Sequence, residues 1–403
     1  MMLRINENSE SGGRGEWGDR GGRGERGLFL SVLVFTAIGS FANGAIGHGI
    51  FFVLTEQHGF SDRLNLFFAL AMYVPYVPAA LFAGKVSRVF GERGVLTAAV
   101  LVMTVCAGFL VWDSSVISCW VVAPLYTMCA GFQWPIVESY LTAGRHGSKM
   151  RQTIGIWNIT WATTICFGLW AVGLLLARSG VLFGLIAISH GVSFVIVRWW
   201  PGRVRVHDRE VGEAHLGPEY GALLKSCQSL LFMSYVLGYA LTPLLPGVWK
   251  ALEVDLGRGA LWSSAWLVAR IVPFTVMYIF VNWHGKWRVP IVASCLLLGG
   301  FGLALSGLSG GMVVTGLVCF GLGHAMIYYA ALYYRMAVGH AQVESGGTHE
   351  ALIGLGYSVG PAVALVGEAV WVGNPQGGIL AGVSVLVVIA GVFAVRPYLG
   401  RRH

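Results

Sequence analysis

Ionisable side chains inside long apolar runs are the first residues to weigh, because a charge held away from water is costly and marks a functional hypothesis. Arg270 is the sharpest case. It follows Trp266-Leu267-Val268-Ala269 in an apolar run, and about 11 residues at ~1.5 Å each place it near mid-membrane if that run is a spanning helix. No Asp or Glu lies at the same depth. Such an arginine can hold a carboxylate or phosphate of a solute, or it can be structural, bonded to carbonyls or waters between helices. His324 and His190 lie midway along two other apolar runs, and His48 lies in the first. Histidine titrates near physiological pH and can relay protons. His324, His48 and Glu368 are therefore candidates for proton coupling, and His190 reads as packing.

A set of aromatic and amide residues suits a hydroxylated or partly apolar organic solute, through stacking and hydrogen bonds. It comprises Asn43, Gln133, Trp134, Trp157, Asn158, Tyr235, Tyr239, Trp266, Tyr328 and Tyr329. Each is also an ordinary packing or interface residue. Enzyme chemistry finds little to use. The chain has no metalloprotease helix motif, no phosphate-cradling Gly loop ending in Lys-Ser/Thr, and no nucleophile in a recognisable setting. No enzyme, cofactor, metal site or nucleotide-driven pump is expected.

Composition places these residues in a membrane. Of 403 residues, 56% are hydrophobic and 11% charged, against about 25% charged in soluble domains. The 57 glycines and 15 tryptophans fit closely approaching helices and membrane interfaces. Cys106, Cys119, Cys129, Cys166, Cys227, Cys295 and Cys319 all fall in apolar runs without a CxxC spacing, so they read as small buried hydrophobes rather than disulfides. The first apolar run is too long for a signal-peptide core and follows a hydrophilic leader, so no signal peptide is expected.

Residues 1–27 are rich in Gly, Arg and Glu and are expected to be a disordered cytoplasmic tail. Acidic residues interrupt the arginines, which argues against nucleic acid as a partner. Twelve apolar segments follow, over 28–54, 64–84, 95–112, 116–140, 152–177, 181–200, 223–248, 259–282, 289–307, 311–337, 351–372 and 378–396. Each is close to the ~20 residues a helix needs to cross hydrocarbon, and helices are required because lipid offers the backbone no partners. With the N-terminus inside, 22 Lys and Arg residues fall on inner regions and 4 on outer ones. The positive-inside rule then places both termini in the cytoplasm, in a multi-pass protein expected in the inner (plasma) membrane. The basic and acidic stretch 201–222 reads as a central cytoplasmic linker. It separates an N-terminal six-helix bundle, 28–200, from a C-terminal one, 223–396, with a short tail at 397–403.

The two halves echo each other. Gly84-Lys85-Val86-Ser87-Arg88-Val89-Phe90-Gly91-Glu92-Arg93-Gly94 follows the second span, and Asn282-Trp283-His284-Gly285-Lys286-Trp287-Arg288 follows the eighth. Twelve spans in two sixes with this Gly-rich basic loop resemble the major facilitator superfamily, over nearly the whole chain apart from the tail. The resemblance implies an all-α fold of two six-helix bundles and transport by alternating access about a site between them. It also implies that the helices bearing Arg270, His324 and the aromatic and amide set border the central cavity.

The loop departs from the family pattern Gly-x-x-x-Asp-Arg-x-Gly-Arg-Arg/Lys. Gly84, Gly91 and Arg93 match, Asn282 and Gly285 stand in the echo, but Arg88 occupies the aspartate position and Glu92 a basic one. In the family that aspartate is thought to latch the cytoplasmic ends of the fourth and eleventh helices. Here those ends carry Glu138 and Glu350, so the resemblance implies a latch with its charges exchanged, Arg88 to Glu138 or Glu350. The Gly-x-x-x-Gly-Pro of antiporters is absent from the fifth span and occurs instead at Gly356-x-x-x-Gly360-Pro361 in the eleventh, which argues against drug antiport. The reading is a monomeric secondary transporter of a small organic solute, tilted toward an anion and coupled to protons or another ion. A facilitator or exporter of a neutral solute such as a sugar, and a non-transporting sensor or scaffold on the same fold, are the alternatives.

Overall fold

A computed structural model describes residues 14–145, 147–204, 218–339, 343–371 and 373–399. Among these residues every regular element is a helix. Eleven helical runs are long and apolar enough to cross a membrane. One of them, Lys149–Val197, is 49 residues long and is divided by a short 3-10 turn at Leu176–Arg178, which restores the expected twelve spans. We number them α1 (Gly24–His58), α2 (Asp62–Phe90), α3 (Glu92–Trp112), α4 (Val116–Thr142), α5 (Gly147–Leu175), α6 (Ser179–Val197), α7 (Glu219–Ala251), α8 (Leu256–Ile279), α9 (Arg288–Ser306), α10 (Gly310–Val338), α11 (Gly346–Val370) and α12 (Pro375–Leu399).

The helix that contains α1 begins at Arg14, so residues 14–27 extend it and do not form the disordered tail expected from their composition. Nucleation is the costly step of helix formation, and the adjoining apolar span supplies the nucleus. Residues 1–13 lie outside the described residues, as do 205–217 of the expected linker.

Each half packs α1 to α6 or α7 to α12 around glycine contacts that let backbones approach. A Cβ on Gly168 of α5 would meet the Phe41 carbonyl of α1 at 2.1 Å, and one on Gly360 of α11 would meet the Val236 carbonyl of α7 at 2.4 Å. The α1–α5 and α7–α11 pairs thus occupy equivalent places in the two halves. The seam between halves is made by α11 against α2 and α4, and by α5 against α8 and α10. It closes at both ends. At one end Gly173 of α5 meets Gly257 of α8, and at the other Gly155 of α5 packs on Tyr278 and Tyr329.

Two interruptions are placed at the centre. In α1, Gly44–Gly49 forms a π-helical turn, a feature common at functional sites. The Tyr73 hydroxyl donates to the Gly47 carbonyl in this turn, at 2.8 Å. In α8 the helix breaks at Ser264 and again at Arg270. Pro273 cannot donate to residue 269 and its ring crowds that carbonyl, which accounts for the second break.

The basic loop after α2 is tied down by its backbone. Gly91 turns the chain with φ +76°. Arg203 donates to the Ser87 and Arg88 carbonyls at 3.2 and 3.1 Å, and Arg93 donates to the Trp200 carbonyl at 3.0 Å. In the echo, Gly285 has φ +68° and its N–H donates to the Tyr334 hydroxyl at 3.0 Å. His284 stacks on Tyr333 with ring centroids 4.5 Å apart.

Burial, with Arg151 nearby, pulls the His284 pKa down to about 4. A neutral folded imidazole makes the unfolded chain bind more protons below its own pKa of about 6.5. Stability is thus expected to be full above that value and to fall as pH drops toward 4, and His284→Phe should flatten the dependence in thermal melts of the detergent-solubilised protein. Gly360→Ala is expected to destabilise by about 1–3 kcal/mol through overpacking. Gly299→Ala, where a Cβ meets nothing within 4 Å, should leave the melting temperature unchanged or raised.

Candidate functional site

The two halves enclose a cavity of about 100 Å³ between α1, α2, α4, α5, α7, α8, α10 and α11. Arg270 lies in its wall and is 2% exposed. The guanidinium carbon sits 4.8 Å from the ring centroid of Trp161 on α5 and 4.4 Å from that of Trp266 on α8. Stacking of this kind engages the faces of the guanidinium and leaves its in-plane N–H groups free. Nε and Nη2 have no hydrogen-bond partner among the described residues. A buried cation with its donors unspent is unstable on its own, and an anion entering the cavity would satisfy it.

The aromatic cover is positioned by further side chains. Trp161 donates from its indole N–H to Asn158 Oδ1 at 3.0 Å. Trp157 donates to the Thr36 hydroxyl of α1 at 2.9 Å. Trp161 also meets Tyr328 and Phe274 with centroids 5.1 and 5.3 Å apart. On the other wall Tyr73, Tyr235, Tyr239 and Tyr357 form a contiguous cluster, with Tyr239 and Tyr357 only 4.1 Å apart.

Of the residues singled out in the sequence, Asn43, Trp134, Trp157, Tyr235, Tyr239, Trp266, Arg270, Tyr328 and His48 line this cavity, and so does Glu350, which was assigned to the cytoplasmic gate. Asn158 is buried behind Trp161. Gln133 is buried without partners beside Gly39, and Tyr329 packs on Phe274 and Trp283; neither lines the cavity. His48 stacks edge-on against Trp266 at 5.1 Å. His324 does not line the cavity; it stands behind Tyr235 and Trp266, with centroids at 4.6 and 5.6 Å, and both its nitrogens lack partners. Glu368 lies apart from the cavity, beside Asp62 and Lys250. His190, read as packing, bonds Tyr126 at 2.6 Å, and Tyr126 reaches Asn43 at 3.5 Å.

Sequence reasoning missed Tyr73, Tyr76, Tyr126, Trp161 and Tyr357, all in the wall. Tyr73 and Tyr76 are three apart and so share a helix face, which was a usable signal. Tyr126 and Tyr357 stand alone in apolar runs and gave none.

The charge-exchanged latch is not formed in this conformation. Arg88 is exposed, whereas Glu138 is buried and its oxygens have no hydrogen-bond partner among the described residues. Glu350 instead accepts from the Tyr76 hydroxyl. The reason is the helical face. The buried stripe of α2 runs through Tyr76, Ala80, Ala83, Gly84 and Ser87, and Arg88, in the last turn of the helix, lies about 40° beyond Gly84 at the margin of that stripe. Glu92 and Arg93 open α3, and Asn282 is exposed in the echo.

A family model described as Major Facilitator Superfamily matches residues 27–365. Among solved structures, a variant of the nucleoside transporter NupG superposes with a TM-score of 0.65 at 11% identity, covering 92% of this chain and 99% of that one. The human organic anion transporter MFSD10 (TETRAN) gives 0.65 at 14%, over the same shares. The unmodified NupG gives 0.61 at 12%, over 93% and 99%. No curated protein matches the chain in sequence.

If Arg270 awaits a ligand and is not a structural tie, its removal relieves a buried charge. Arg270→Met is then expected to leave thermal stability, measured without solute, unchanged or raised. A structural arginine would lose about 3–5 kcal/mol on the same change.

Proposed function

The chain belongs to the major facilitator superfamily, a family of membrane transporters, and we propose that it is a secondary transporter of a small organic anion bearing a flat apolar part. The observation that carries this reading is the Arg270 guanidinium, buried in the cavity wall between two indoles with Nε and Nη2 unspent. A carboxylate would take the in-plane N–H groups in a charge-assisted, bidentate pair. The surrounding tyrosines and tryptophans would hold an adjoining ring or chain by stacking and dispersion. The anion brings its own negative charge into a site with a fixed positive one, which lowers the cost of dehydration for both.

Transport follows from the seam. Trp161 belongs to α5 and Trp266 with Arg270 to α8, so a ligand at Arg270 touches both halves. Opening α5 from α8 at one end, or α2 and α4 from α11 at the other, would expose the cavity to alternate sides. His48, in the wall beside Trp266, is the proposed carrier of a coupling proton, with His324 behind it. The basic loops are placed on the cytoplasmic side, with both termini, as in the inner (plasma) membrane of a cell, and the unit is a monomer of two six-helix bundles.

A neutral solute is the second reading, favoured by the hydroxyls of Tyr73, Tyr126, Tyr239 and Tyr357 around the cavity. Nucleosides and organic anions, the two classes named for the structurally similar chains, correspond to these two readings.

Uptake into proteoliposomes separates them. Benzoate and related carboxylates are expected to accumulate, faster with an inward proton gradient. Loss of one charge-assisted contact of ~1.5–3 kcal/mol should raise the apparent Kd about 10- to 100-fold in Arg270→Gln. Uptake of a nucleoside or sugar that is indifferent to Arg270→Gln, with no carboxylate uptake, would sink the anion reading.

A further inference from the structure

At the floor of the central cavity, which Glu350 lines, and toward the end of the molecule that bears the basic loops, three ligating side chains meet across the seam. Glu138 comes from α4 in the N-terminal half; His349 and Glu350 come from the N-terminal part of α11, a helix that runs from Val343, in the C-terminal half. One atom of each lies within 4.8 Å of the others. All three are buried, at 1%, 0% and 4% exposure. We propose that Glu138, His349 and Glu350 form a binding site for a divalent first-row transition-metal ion that clasps the two halves together at this end.

Four observations support the site. First, neither nitrogen of His349 has a hydrogen-bond partner among the described residues, and the group within hydrogen-bonding reach of Glu138 is the like-charged Glu350 carboxyl. Such groups are costly to bury unsatisfied. Second, the two carboxylates face each other with no basic side chain hydrogen-bonded to Glu138. A shared proton would serve the carboxyls but leave the imidazole orphaned, whereas one ion satisfies all three side chains. Third, the donor set is selective. Calcium and magnesium prefer sets built of oxygen, whereas an imidazole with carboxylates suits zinc, iron, cobalt or nickel. Ligand atoms in a tetrahedral zinc site lie about 3.4 Å apart, given bonds of ~2.0–2.2 Å, so a modest contraction of this cluster closes on an ion.

The fourth observation is the supporting structure. The Tyr76 hydroxyl of α2 donates to Glu350 and fixes its carboxylate, as outer partners of metal ligands do. The His349 ring packs on Tyr328 at 5.5 Å. Arg335 of α10 is the basic group near His349. Gly346 and Gly347 let α11 come down onto its neighbours: a Cβ on the first would meet Glu138 Oε2 at 2.8 Å, and one on the second would meet the Ala80 carbonyl at 2.6 Å. The close approach that builds the cluster thus has its own sequence requirement. Since the ligands come from both halves, a bound ion resists their separation at this end. This consequence for gating rests on the transport reading above; binding itself does not.

The test uses the full chain purified in detergent, stripped with chelator and titrated with Zn²⁺ by calorimetry, with no solute present. One ion per chain is expected, with a rise in melting temperature that chelator reverses. Glu138→Gln and His349→Gln should each weaken binding at least about 10-fold, the lower end of what loss of a mere outer-shell partner costs. Their melting temperatures in chelator should be unchanged or raised, because each replaces an orphaned ionisable group with a neutral amide that can donate to a neighbouring carboxylate. Absence of saturable binding by the wild type, or equal binding by both variants, overturns the site. Should the variants fail to fold, Co²⁺ added to the wild type decides. Visible d–d bands of a four- or five-coordinate nitrogen and oxygen site support the proposal, and the spectrum of hydrated Co²⁺ alone overturns it. Because binding is read without transport, its failure leaves the anion reading intact, and failed carboxylate uptake leaves the metal site intact.

Discussion

The Arg270 guanidinium lies between an indole from each half, Trp161 and Trp266, with Nε and Nη2 unspent. In hydrocarbon an isolated charge of this kind is not tolerated, so the protein around it has to supply what water would. It does so with aromatic faces, which attract a cation without using its donors. The arrangement organises its neighbours: Asn158 holds Trp161, the break in α8 turns Arg270 toward the cavity, and the two halves must stay close enough for both indoles to reach it. Stability and function are set in opposition here, since the group that makes the empty site costly is the one that would reward a ligand.

The rest of the bundle is built to let two rigid halves meet on a thin seam. Glycines allow the paired helices α1–α5 and α7–α11 to approach to backbone contact within each half. Across the seam, contacts gather at α5–α8 and at α2 and α4 with α11. The polar groups of the seam run from the cavity to the cluster of Glu138, His349 and Glu350, with Glu350 in both. A change of charge in either alters the energy of separating the halves, which is how solute or ion binding can bias a conformational equilibrium.

Much of the architecture was legible in residue order. Twelve apolar runs, the bias of Lys and Arg between alternate loops, and the recurring Gly-rich loop follow from what lipid permits and from the lengths it imposes. Arg270, Trp266, Tyr235, Tyr239 and Tyr328, picked out because ionisable groups within such runs are few and aromatic ones can stack on a solute, do line the central cavity. The latch was not legible. Arg88 stands where the loop pattern places a partner for Glu138, but it falls in the last turn of α2 at the margin of the buried stripe, and it is exposed. Sequence distance along a helix does not reveal which face the neighbouring bundle will cover.

The sequence by itself determined the number of spans, their helical form and the presence of an arginine within an apolar span, since each depends on local composition against the thickness of a bilayer. Only the tertiary structure decided what surrounds that arginine. Trp161 is 109 residues before Arg270 in the chain, and Tyr357 87 after it, and nothing local marks either as its neighbour. The same holds for Glu138 and Glu350, two carboxylates from different halves that packing brings together at a buried seam. Local physics fixes what each segment can be; which orphaned groups meet is fixed by how the two halves dock.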